Sequence, residues 1–104
     1  MSNNTDTYTV KEFAEKMNIN KSVVYKWANK RYIPIQRAAG IKIPKLEANL
    51  LREICILTGE KIEVNWKYMK EYICGLRNTF ESTVEQKGRG RVIKEIMQMI
   101  ERRK

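Results

Sequence analysis

The chain has 104 residues, room for one small core, and carries 21 basic against 12 acidic residues with no histidine. The formal charge of +9 and a pI near 9.7 point to a polyanionic partner, either nucleic acid or an anionic membrane surface. The missing histidine and the distance between Cys55 and Cys74 argue against a zinc site, and no Gly-rich phosphate loop or Gly-x-Ser-x-Gly elbow signals catalysis, so no enzyme activity, metal or cofactor is expected.

No apolar run approaches the roughly 20 residues that span a bilayer, and the start MSNNTDTY lacks the features of a signal peptide, so a cytoplasmic location is expected. Both cysteines sit in helical apolar patterns and read as buried, reduced thiols.

Residues 1–7 read as a flexible terminus. Thr9 and Glu12 form a capping-box pattern, which predicts a helix over 10–17 with Val10, Phe13, Ala14 and Met17 on its buried face. Asn18-Ile19-Asn20 is a tight break in which Asn20 caps the next helix and Ile19 points into the core. A second helix is predicted over 21–30. Val24, Trp27, Ala28 and Arg31 share its inner side, whereas Lys21, Ser22, Tyr25, Lys26 and Asn29 spread over the other. Pro34 ends this segment. Ile35-Gln36-Arg37 and Ile41-Lys42-Ile43 alternate about Ala38-Ala39-Gly40 as a short hairpin, with Gly40 free to take positive φ. Pro44 ends the second strand, and Leu46, Leu50, Ile54 and Leu57 define a third helix that Gly59 stops.

Residues 8–58 thus form one predicted domain, and 60–104 a helical extension. In the extension Asn65 looks like the cap of a long helix carrying Trp66, Met69, Ile73, Leu76, Phe80 and Val84, with Gly75 marking a kink or a close contact. A break at Lys87-Gly88-Arg89-Gly90 precedes a last helix. Its stripe Val92, Ile93, Ile96, Met97 and Ile100 either folds back on the long helix or pairs with another chain, and Arg89, Arg91 and Lys94 form either a phosphate-binding loop or an exposed turn. Charge is uneven: residues 1–44 and 66–104 each carry a net +5, and 45–65 a net −1.

A helix, a tight turn, a cationic helix and a basic hairpin follow the order of a winged helix-turn-helix, so the expected fold is mainly α with a small β-hairpin wing and a C-terminal helical extension. On that reading Asn20, Lys21, Ser22, Tyr25, Lys26 and Asn29 enter the major groove, with Thr9, Lys11 and Lys30 beside them. Gln36, Arg37, Ala39, Gly40 and Lys42 reach a neighbouring groove or the backbone. Phe13, Ile19, Val24 and Trp27 are assigned to the core, and Tyr25 either packs on the wing or touches a phosphate. A homodimer through the C-terminal helices is expected, because one winged domain makes few base contacts. The rival reading is a basic module that docks on a protein or an anionic membrane.

The stretches Tyr8-Thr9-Val10-Lys11-Glu12-Phe13-Ala14, Ile19-Asn20-Lys21-Ser22-Val23-Val24-Tyr25-Lys26-Trp27, Tyr32-Ile33-Pro34 and Ile43-Pro44 resemble the excisionase and MerR-like family of small DNA-binding domains. The resemblance covers residues 8 to 51. It implies sequence-specific binding of double-stranded DNA in an accessory role on a plasmid or phage, setting recombination direction or assembling a transfer or origin complex with a recombinase, relaxase or polymerase. A MerR-like transcription regulator is the alternative that it implies. The wing departs from the family in having Arg37-Ala38-Ala39-Gly40-Ile41-Lys42 where several arginines are usual, and residues 59–104 match nothing in the family pattern.

Overall fold

A computed structural model describes residues 6–38 and 40–103. These are mainly helical: six helices and one small antiparallel sheet. The chain divides into two compact units, Met1–Asn49 and Leu50–Lys104, with the division inside the third helix rather than after it.

In the first unit, β1 (Thr7–Tyr8) leads into α1 (Val10–Met17). The capping box forms as the sequence requires, with the Glu12 amide donating to Thr9 Oγ1 at 3.1 Å and the Thr9 amide to Glu12 Oε1 at 2.9 Å. The left-handed Asn18 closes α1, and α2 (Lys21–Lys30) follows at once. Asn20 stands at the N-cap, but its side chain makes no capping bond, which corrects the role given to it. Arg31 is also corrected. It is not part of the inner face of α2 but its exposed C-cap, in the left-handed region at φ 60°, because the chain must leave the helix before Pro34.

β2 (Gln36–Ala38) and β3 (Gly40–Pro44) make the hairpin, with β2 one residue later than predicted and β3 one residue longer at each end; Ala39 lies outside the described residues. Gly40 takes φ 94°, as expected of a residue without Cβ at a tight turn. β1 pairs with the other edge of β3, giving the order β1-β3-β2. Thr7, predicted to belong to a loose terminus over 1–7, is therefore part of a strand; residues 1–5 lie outside the described residues. Val10, Phe13, Ala14, Val24, Ala28, Ile33, Ile43 and Ala48 are buried here. Trp27 and Ile19, expected in the core, are only half-buried.

α3 (Lys45–Thr58) spans the division and stops at Gly59, whose φ of 70° is the usual glycine exit from a helix. The second unit then departs from prediction in two places. α4 (Ile62–Leu76) starts three residues before Asn65, so Asn65 is no cap but a fully buried helical residue. Its Nδ2 donates to Cys55 Sγ at 3.2 Å and to the Glu60 carbonyl at 3.3 Å, while its Oδ1 accepts from the Thr58 hydroxyl at 3.2 Å. Asn65 thereby ties the end of α3 to the start of α4. Asn65→Ala removes all three bonds from these half-buried partners and is expected to lower the free energy of unfolding by about 1–3 kcal/mol in urea titrations.

The long helix is also two. α4 ends at Leu76 and α5 (Phe80–Lys87) begins after a break, because the Thr79 amide at 3.1 Å and its hydroxyl at 2.6 Å both take the Leu76 carbonyl. Gly75 is not the breaking point: α4 runs through it, and a Cβ there would meet open space rather than a neighbouring helix. α6 (Arg89–Arg102) packs on α4 and α5 and buries Val92, Ile93, Ile96 and Ile100, so the stripe folds back on its own unit. Cys55 is half-buried, and burial pushes its thiol pKa up. Cys74 is exposed, contrary to expectation, because it falls on the outer face of α4.

α4 and α6 are further joined by Tyr72, whose hydroxyl donates to Glu95 Oε1 at 2.5 Å, and α5 is tied to α6 by Lys87, which donates to Glu95 Oε2 at 3.1 Å. Burial, then the Glu95 hydrogen bond and charge, pushes the Tyr72 pKa up to about 12. The Tyr72 and Lys87 hydrogen bonds hold Glu95 below the usual carboxylate range. A raised pKa means that the folded state keeps the Tyr72 proton more tightly. Its contribution is therefore complete below the ordinary tyrosine pKa of 10 and lost as pH rises towards about 12. For Glu95 the sign is opposite: its contribution is present at neutral pH and lost as pH falls through its lowered pKa. Tyr72→Phe should remove the alkaline loss, seen as a narrowing gap between parent and variant melting midpoints over that range.

Candidate nucleic-acid interface

Val24 and Ala28 have no exposed surface and Trp27 is half-buried, so α2 is fixed by one side against α1 and the first unit's core. At about 100° per residue, the remaining side chains fall on the opposite half of the helix. Lys21 and Lys30 mark its two borders, with Tyr25, Asn29, Ser22 and Lys26 between them. All six are exposed, as is Asn20 at the N-cap. This face has no carboxylate, since α2 contains none. Tyr25, 49% exposed, stands out from the face.

The four ion pairs among the described residues, Lys87–Glu95, Arg89–Glu53, Arg91–Glu95 and Arg103–Glu71, all belong to the second unit. Lys21, Lys26, Arg37 and Lys42 have no such partner among the described residues. Lys30 rests its Nζ 6.0 Å from the Tyr32 ring centroid, within cation–π reach, and is the one α2 lysine held in this way. Uncompensated cations on one rigid face concentrate positive potential there, whereas the basic residues of α6 are partly neutralised.

The other predicted residues divide. Thr9 is exposed, but its hydroxyl oxygen is already used in the capping box, and Lys11 is exposed on the first turn of α1. In the hairpin, Gln36 faces Lys42 and Arg37 faces Ile41 across the strands. Residues directly opposite share a face, so Arg37 and Lys42 point to opposite sides of the sheet. The hairpin therefore offers either Arg37 beside Ile41, or Gln36 with the half-buried Lys42, but not both cations to one surface. Gly40 is exposed at the tip.

Arg89, Arg91 and Lys94 do not form a loop. They lie in α6, with Arg89 3.8 Å from Glu53 and Arg91 3.9 Å from Glu95. Pattern reading missed Lys16 and Lys45, whose ammonium groups lie 6.0 and 5.3 Å from the Tyr8 ring centroid. Their meeting depends on Tyr8 being drawn to the sheet and to α3, where its hydroxyl donates to Asn49 at 2.9 Å, and nothing in local spacing announces that. Among the described residues no cluster of His, Cys, Asp or Glu could hold a metal, and no helix is long and apolar enough to cross a membrane. Compared with protein-family profiles, curated proteins and solved structures, the chain matches none.

Proposed function

We propose that the chain binds double-stranded DNA sequence-specifically and without chemistry, as a winged helix-turn-helix with α2 in the major groove and β2–β3 as the wing. The observation that carries this reading is the outer half of α2: seven exposed polar or cationic residues, counting Asn20, with no carboxylate and no ion pair, on a helix anchored by Val24 and Ala28. A helix about 10–12 Å across fits a major groove about 12 Å wide. Asn29 and Ser22 lie at the middle of the face, where an amide can read adenine and a hydroxyl either base, and lysines on both sides suit the two phosphate walls.

The resemblance to excisionases supports an accessory role on a mobile element, in recombination or in assembling a transfer or origin complex. The test is selection of a site from randomised duplexes, followed by affinity against salt. A preferred sequence should emerge, and its affinity should fall with a log–log slope of about −4 or steeper, as expected for five or more neutralised phosphates. Equal affinity for every duplex, or tighter binding to phosphatidylserine vesicles than to any duplex, would reject the reading.

A further inference from the structure

The last turn of α3 leaves Ile56 and Leu57 65% and 57% exposed, far more than a folded unit needs to leave in water. At Leu57, still within the second unit, lies a groove of about 590 Å³ whose lining includes Leu57, Gly90, Ile93 and Met97, with Lys94 and Glu101 on its rim. Gly90, Lys94, Met97 and Glu101 recur at spacings of four, three and four, so they form one ridge along α6. A Cβ on Gly90 would meet open space, which leaves the start of this ridge flat. Lys94 and Glu101 are exposed and, among the described residues, take part in none of the unit's four ion pairs.

We infer that this surface docks on a second copy of the chain, α6 running antiparallel to α6 of the other copy about a twofold axis at Met97–Gln98. A twofold contact is self-complementary: if residue i meets residue j, then j meets i. Lys94 and Glu101 are equally spaced about the Met97–Gln98 bond and share one face. The axis therefore sets Lys94 of each copy against Glu101 of the other, while Leu57 and Met97, which line the groove, lose their water. A uniformly acidic partner would leave Glu101 opposed, and a uniformly basic one Lys94; a copy of the same surface matches both. The inference needs no DNA and stands apart from the reading of α2.

The test measures the mass of the full chain in solution by light scattering and sedimentation, without DNA. The parent should reach twice its monomer mass of 12.3 kDa. Lys94→Glu and Glu101→Lys, each alone, create two like-charge contacts per dimer and should weaken association about tenfold or more. Mixed with each other, these two variants should recover a dimer, because every contact then joins opposite charges; the double variant Lys94→Glu with Glu101→Lys should recover it alone. Both positions are exposed, so far-ultraviolet circular dichroism should not change. A monomeric parent would overturn the inference and leave the groove to a partner of another sequence. Single variants that dimerise like the parent, or a mixture that fails to recover, would overturn it as well.

Discussion

Replacing Lys21 and Lys26 together by alanine is expected to lower affinity for the selected duplex by about 100-fold or more, since each hydrogen bond from a lysine to a phosphate of the groove wall contributes about 1.5–3 kcal/mol. The salt slope should become shallower by about two, one for each lost cation. Neither residue is buried or ion-paired among the described residues, so the melting midpoint should stay where it was. Global charge is the competing explanation, because removing any two lysines lowers the net +9. Lys61→Ala with Lys70→Ala removes the same charge from exposed positions at α4, in the other unit, and should leave specific affinity within about threefold. Equal losses from both pairs would mean that the chain attracts DNA by charge alone and that α2 reads no sequence. Arg37 gives a smaller and more local expectation. Because it and Lys42 point to opposite sides of the hairpin, only one of the two single alanine variants should weaken binding.

The first unit was largely legible because its signals are local. A capping box, two helices three residues apart, a proline exit and a glycine at the hairpin tip each act within a few residues, and each appears where the pattern puts it. What was not legible required knowledge of distant partners. The strand at Thr7–Tyr8 exists only because the edge of β3 accepts it. Arg31 shows a subtler failure: the 3.6-residue period places it on the inner side, but periodicity has no meaning once Pro34 forces the chain out of the helix.

In the second unit, Asn65 was misread because asparagine before an apolar run looks like a cap. The structure uses the same amide as a buried tie between two helices, and no sequence pattern separates those uses. The break after Leu76 was invisible for a related reason. Apolar spacing continues through Arg77-Asn78-Thr79 into Phe80 and Val84, and the helix ends where Arg77 turns to φ 58° and Thr79 donates to the Leu76 carbonyl. For the α2 face the residue order decides which side chains point outward, but not that the lysines stay out of ion pairs while Arg89 and Arg91 of α6 find carboxylates.

Ile96 and Met97 make the last of these distinctions testable, because neighbours in sequence are turned by about 100° on a helix and here face different surroundings. Ile96 has no exposed surface and is packed where α6 meets α4 and α5; Met97 is half-buried and lines the open groove. Ile96→Ala therefore leaves a cavity that the rigid helices around it can only partly close, and should cost about 2–5 kcal/mol in urea unfolding. In a chain whose total stability is expected to be about 5–15 kcal/mol, that is enough to lower the melting midpoint by roughly 10 °C or more. Met97→Ala removes a flexible side chain with water on one side, and should cost less than about 1 kcal/mol while weakening self-association. If Ile96→Ala were the harmless change and Met97→Ala the damaging one, α6 would be rotated from the orientation described. The apolar stripe would then face outward, towards another chain, instead of completing its own unit.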